Sequence, residues 1–213
     1  MKLTADKKTF DAVIFDVDGV IWDSTDIAAI AYNKAFEEDD VDLGVTGDDL
    51  KKLFGLTMDR IFEMLLPEYP LEERRVLQEK SISYEQETLG NIEPHFFPGM
   101  PDVIKKLAEK YPVYIVSNSH KGYIEEVIRY GKLEKYIKGH LCFGDTGVSK
   151  GKTLKILIDR EGLKAPVYVG DIQGDADACR EAGLDIICAA YGFGEIREPY
   201  AQVDSPAELL ELL

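Results

Sequence analysis

Three short motifs place oxygen-bearing side chains directly after apolar runs. Asp16-Val17-Asp18-Gly19 follows Ala12-Val13-Ile14-Phe15, and Ser117-Asn118-Ser119 follows Val113-Tyr114-Ile115-Val116. Gly170-Asp171-Ile172-Gln173-Gly174-Asp175 follows Val167-Tyr168-Val169. Gathered at one edge, Asp16, Asp18, Asp171 and Asp175 would raise one another's pKa or require a cation. Hard oxygen ligands with no His or Cys beside them point to magnesium, which takes a carboxylate or two, waters and a phosphate oxygen. Calcium in an EF-hand needs Gly at the sixth position of its loop. Counted from Asp16 that position is Ile21, and from Asp171 it is Ala176, so both loops fail. The plain alternative is that the acids are turn residues and helix caps, as Asp often is. Three such motifs after three apolar runs weigh against that reading.

The elements that must position these groups can be read from the same pattern. The runs at Ala12, Val113 and Val167 are continuous and β-rich, as in strands buried on both faces. Ile186 to Ala190 and His140 to Phe143 are weaker strand candidates. Between them helical spacing appears over Pro101–Lys110, Lys121–Tyr130, Lys152–Arg160 and Asp175–Ala182, with Gly183 as a stop. Ser205-Pro206 reads as the N-cap and first residue of a C-terminal helix. Strands alternating with helices predict an α/β fold with a doubly wound parallel sheet, whose ligands sit at the carboxyl ends of the strands. From Asp23 to Glu93 no convincing strand appears. Ile27-Ile30-Ala31, Ile61-Met64-Leu65 and Leu71–Leu89 read as helices, giving a small all-α insert right after the first strand. The expected division is a core of residues 1–22 and 94–213 and an insert of 23–93, with Asn91-Ile92-Glu93-Pro94 marking the return.

Composition narrows the partners. The 213 residues carry 25 Lys and Arg against 40 Asp and Glu, a formal charge of -15. Such a surface repels nucleic acid and anionic lipid, whose phosphates are held by Lys and Arg. A small phosphorylated metabolite remains a fitting partner if cations are gathered locally. Cys142, Cys179 and Cys188 are odd in number and lack CxxC spacing, which suggests neither a disulfide framework nor zinc. No apolar run is long enough for a signal peptide or a membrane span, so a cytoplasmic protein is expected.

The order Asp-x-Asp-Gly-Val, Ser-Asn, a lone Lys and Gly-Asp-x-x-x-Asp resembles the haloacid dehalogenase superfamily of phosphohydrolases over the whole chain. The insert after the first motif is similar to the α-helical cap of the phosphoglycolate phosphatase-like subfamily, and Tyr191-Gly192-Phe193-Gly194 to its closing region. The resemblance implies that Asp16 is the nucleophile, forming an aspartyl-phosphate, and that Asp18 is the general acid and then the base. It implies Mg²⁺ held by Asp16, the Asp18 backbone carbonyl and Asp171, with Asp175 helping directly or through water. Ser117 and Asn118 would hold phosphoryl oxygens. The family's lysine matches Lys150 better than Lys152, and Thr57 and Arg60 fall in the cap's substrate-facing loop.

The expected activity is therefore Mg²⁺-dependent hydrolysis of a small phosphate monoester, whether phosphoglycolate-like, a sugar phosphate or a nucleotide, with pyrophosphate also open as a substrate. Uncatalysed monoester hydrolysis demands accelerations up to ~10²¹. General acid–base help supplies only about 10²–10⁴, so metal, lysine and covalent catalysis must carry most of the work. A phosphomutase of the same superfamily is the near alternative, although its sugar-phosphate members usually carry Glu-Asp where this chain has Gly170-Asp171. A dehalogenase is disfavoured, since those relatives dispense with Mg²⁺ and lack the second acid at Asp18. From other classes come a phospho-accepting receiver, which lacks the large insert, and a non-catalytic phospho-ligand-binding protein.

Overall fold

The computed structural model describes residues 2–3, 8–89 and 95–213. In chain order the strands are β1 Lys2–Leu3, β2 Ala12–Phe15, β3 Trp22–Asp23, β4 His95–Phe96 and β5 Val113–Ser117. They continue with β6 Ile137–Cys142, β7 Pro166–Gly170, β8 Asp185–Ala189 and β9 Ala201–Val203. The helices are α1 Thr25–Glu37, α2 Gly47–Lys51, α3 Met58–Leu65, α4 Leu71–Leu89 and α5 Met100–Leu107. After them come α6 Tyr123–Gly131, α7 Phe143–Thr146, α8 Lys150–Glu161, α9 Gln173–Ala182 and α10 Leu209–Leu212. Two compact units form: Met1–Trp22 with Phe96–Leu213, and Asp23–His95. The chain passes between them through β3 and β4, which pair with each other. The expected return cluster at residues 91–94 lies outside the described residues.

The first unit is the expected α/β fold. Its sheet runs β1-β9-β8-β7-β2-β5-β6, parallel throughout except where β1 meets β9. Every residue of β2, β5 and β7 is buried, which is why their sequences are unbroken apolar runs. One face packs Ile14, Tyr114, Val116 and Tyr168 against Leu154 and Leu157 of α8 and Ala176 and Cys179 of α9. Phe15 is in register with Ile115 on one side and Val169 on the other. The carboxyl ends of β7, β2 and β5 are therefore level. Strand order reverses at β2, with β5 and β6 to one side and β7, β8 and β9 to the other, the arrangement that opens a ligand crevice in such sheets.

The Asp23–His95 unit is built from α1 to α4. Tyr32 and Phe36 of α1 meet Phe62 of α3 with ring centroids 5.2 and 5.9 Å apart. Asn33 braces the loop before α2, its amide donating to Val45 O and its carbonyl accepting from Val45 N–H at 2.7 and 2.8 Å. Thr46 and Asp49 cap α2 reciprocally.

Several boundaries depart from the sequence reading. The edge strand begins at Ile137 rather than His140 and ends at Cys142. There the Asp145 carboxylate accepts the Cys142 N–H at 3.1 Å and starts the turn of α7. Helix α6 begins at Tyr123, because Gly122 just before it has φ 93°, left-handed and outside the helix. The C-terminal segment opens as a single 3₁₀ turn over Pro206–Glu208, and the Ser205 side chain makes no capping bond. Cys142, Cys179 and Cys188 are buried and form no disulfide. Among the described residues no helix is long and apolar enough to cross a membrane.

Candidate active site

Asp16 is the first residue beyond β2. Its N–H donates to Val169 O at 2.9 Å, so it continues the ladder into the space between the strand ends. The residue is 2% exposed. Asp171 is the first residue beyond β7, and Asp175 is the third residue of α9. Oxygen atoms of Asp16, Asp171 and Asp175 lie within 4.8 Å of one another, and all three residues are buried.

Lys150 enters this group from the first position of α8. Ser149 caps that helix, its Oγ accepting the Lys152 N–H at 3.4 Å. Lys150 then points inward and Lys152 lies exposed. Lys150 Nζ donates to Asp16 Oδ2 at 2.8 Å and to Asp175 Oδ1 at 2.6 Å. Asp175 Oδ2 turns back to accept the Asp171 and Ile172 N–H groups at 3.1 and 3.3 Å. The carboxylate is thus a helix cap and a partner of the lysine at once, and both readings of this acid apply.

Asp171 is held by backbone. Its Oδ2 accepts the Phe193 N–H at 2.7 Å. Two glycines make room for it: Gly19 has φ 78° and a Cβ there would overlap Asp171 Oδ2, and a Cβ on Gly192 would sit 2.5 Å from Asp171 Cβ.

The electrostatics follow from burial. Removal from water raises the Asp16 pKa well above the carboxylate range, more than Lys150 lowers it, and Asp175 and Asp171 add to the rise. Burial and then Asp175 push Asp171 up to about 7. Burial alone would depress Lys150, yet Asp16 and Asp175 outweigh it and keep it firmly protonated. Three buried carboxylates face one ammonium among the described residues. A donor set of oxygens alone, with negative charge in excess, fits a hard divalent cation.

Ser117 ends β5, beside β2, and is 4% exposed. Its Oγ accepts the Ser119 N–H at 3.1 Å, which leaves the hydroxyl proton to donate elsewhere. Asn118 is half-buried next to it. Asp18, also half-buried, lies in the turn after Asp16, and its Oδ1 accepts from Tyr123 Oη at 2.6 Å. The structure thus brings Asp16, Lys150, Asp171 and Asp175 together, with Asp18 and Ser117 on the same rim of the sheet. Thr57 and Arg60 belong to the Asp23–His95 unit. There Thr57 precedes α3 without a side-chain cap, and exposed Arg60 pairs with Glu63 of its own helix.

Sequence reasoning assigned no role to three supports: the Tyr123 hydroxyl, Tyr168, and the amide of Phe193 within the Tyr191-Gly192-Phe193-Gly194 segment already singled out. Tyr168 Oη donates to Val116 O at 2.8 Å, and its ring lies 5.8 Å from Lys150 Nζ. Each looks like an ordinary apolar or loop residue by pattern. Only Phe193, between Gly192 and Gly194, carries a signal of close backbone approach.

A model of the family described as haloacid dehalogenase-like hydrolase matches residues 13–189. The chain is 28% identical over 213 residues to a phosphoglycolate phosphatase of Synechococcus elongatus, covering 94% of this chain and 95% of that protein. It is 26% identical to a phosphoserine phosphatase of Bos taurus, over 86% of this chain and 81% of the other. The fold is shared with a protein from Haemophilus somnus described as a predicted phosphoglycolate phosphatase, with TM-score 0.86, 19% identity and 97% and 99% coverage. It is shared too with a haloacid dehalogenase-like hydrolase of Streptococcus pneumoniae, with TM-score 0.79, 19% identity and 95% and 97% coverage.

Proposed function

The chain belongs to the haloacid dehalogenase-like hydrolase family, and on that premise we propose that it is a Mg²⁺-dependent phosphatase of a small phosphate monoester. The observation that carries the reading is the buried Asp16–Lys150–Asp175 contact beside Asp171 at the carboxyl end of the sheet. Its similarity to phosphoglycolate and phosphoserine phosphatases favours a carboxylate-bearing ester of that size.

In this reading Lys150 engages Asp16 Oδ2 and fixes the carboxylate, and Asp16 Oδ1 attacks phosphorus. The bond from phosphorus to the leaving oxygen breaks, its electron pair goes to that oxygen, and Asp18 supplies the proton. The product is an aspartyl-phosphate on Asp16 and a free alcohol. Asp18, now a carboxylate, takes a proton from water as the water oxygen attacks phosphorus. Phosphate leaves and Asp16 is regenerated. Ser117 and Asn118 hold phosphoryl oxygens. Asp16, Asp171 and the Asp18 carbonyl would hold Mg²⁺, with Asp175, already tied to Lys150, helping directly or through water. Bound there, the metal supplies charge neutralisation between two anions that otherwise repel. The Asp23–His95 unit acts as the cap, with Thr57 and Arg60 as its residues for substrate preference.

The test is phosphate release from phosphoglycolate, phosphoserine, glucose 6-phosphate and a nucleoside monophosphate, with and without Mg²⁺. Release that requires the metal and prefers the carboxylated esters is expected. Isomerisation of a sugar phosphate without release would make the protein a mutase instead. Binding with neither reaction would make it a phospho-ligand-binding protein.

A further inference from the structure

We propose that Tyr123 is a positioning residue for Asp18, fixing which carboxyl oxygen hands the proton to the leaving alcohol. The inference rests on the reading of Asp18 as general acid.

The geometry is a directed relay. Trp22 Nε1 lies 3.1 Å from Tyr123 Oη, and Tyr123 Oη lies 2.6 Å from Asp18 Oδ1. An indole N–H can only donate, so the phenol oxygen must accept from it. The phenol has one proton, and it is directed to Asp18 Oδ1. A separation of 2.6 Å is that of a short O–H···O hydrogen bond. Oδ1 is thereby engaged as an acceptor, and the transferable proton is assigned to Oδ2.

The relay is anchored. Trp22 is fully buried and Tyr123 is 4% exposed. Their rings meet edge to face at 5.5 Å, and His120 meets the Tyr123 ring at 5.4 Å. Tyr123 opens α6, which follows the Ser117-Asn118 segment after the loop of residues 119–122, so one connection joins the phosphoryl-holding loop to the residue that contacts the acid. When the ester bond breaks, the leaving oxygen takes the proton from Asp18 Oδ2, and the resulting carboxylate keeps the Tyr123 hydrogen bond at Oδ1.

The experiment compares Tyr123→Phe with wild type in single turnovers, so that only formation of the aspartyl-phosphate is read. Phosphoglycolate releases an alkoxide that needs a proton. p-Nitrophenyl phosphate releases a stable phenolate that does not. General acid help is worth about 10²–10⁴ in all, and partial loss of its alignment predicts a fall at least tenfold larger for phosphoglycolate than for the aryl ester. The ratio of the two rates is independent of the fraction of enzyme folded, so reduced stability cannot imitate the result. Equal losses on both esters, or none on either, would overturn the proposal. Asp18→Asn run alongside separates the two claims. If it shows the selective loss and Tyr123→Phe does not, the Tyr123 role alone fails; if it shows none, the general-acid reading falls and takes this proposal with it.

Discussion

Lys150 and Asp16 are 134 residues apart in sequence, and their side chains meet at 2.8 Å in the interior of the sheet unit. No local rule produces that contact. It arises because β2 ends at Phe15, level with Val169 of β7, and because Ser149 starts α8 so that its first residue faces the strand ends. Lys152, two residues on, is turned to solvent.

Lys150→Met is expected to lower kcat by about 10²–10³, the usual effect of losing one preorganised electrostatic stabiliser. It also strands buried carboxylates without their cation, at about 3–5 kcal/mol. Lys152→Met should leave turnover within about twofold. Steady-state kinetics with thermal melts on both variants check this.

Ser117 keeps a hydroxyl proton to donate because its oxygen already accepts from Ser119. A hydrogen bond to a charged group is worth about 1.5–3 kcal/mol. Ser117→Ala should therefore reduce kcat/KM by roughly 10–100-fold, and Ser117→Thr, which retains the hydroxyl, should recover part of it.

Gly19→Ala tests the cradle around Asp171. A left-handed backbone costs a residue with a Cβ about 1–2 kcal/mol, and the new methyl group would press on the carboxylate. At about 2–4 °C per kcal/mol for a chain of this size, melting should fall by several degrees. Mg²⁺ should bind at least about tenfold more weakly, read from the metal dependence of the melting temperature.

Metal binding should itself stabilise the fold, since it relieves like charges that burial forces together. At a hundred times its Kd, a ligand adds about 2.7 kcal/mol, or roughly 5–11 °C here. Differential scanning fluorimetry with Mg²⁺ and then EDTA should show a reversible shift, lost in Asp171→Asn.

The central strands and their motifs were legible because burial on both faces leaves continuous apolar runs, and because chemistry in this architecture sits where those runs stop. Leu71–Leu89 was legible as a helix, a long charge-rich stretch with apolar residues at intervals. The edge strand was misplaced because Lys138 and Gly139 break its apolar pattern: an edge strand is only partly covered. Strands β1, β3, β4 and β9, of two or three residues, are too short to carry any period. Tyr123 was invisible as a functional residue, since a tyrosine in the first turn of an amphipathic helix looks like core. Its role depends on Trp22 and Asp18, which the fold brings to it from about a hundred residues away.

Whether Asp16 is the nucleophile is decided by acid-quenched peptide mapping after millisecond mixing of the Mg²⁺-loaded protein with phosphoglycolate and with p-nitrophenyl phosphate. A phosphoryl group on the peptide carrying Asp16, formed with at least one ester and absent together with turnover in Asp16→Asn, is the predicted result. Phosphate release that persists in Asp16→Asn, with no phosphorylated peptide at any time point, would contradict the account.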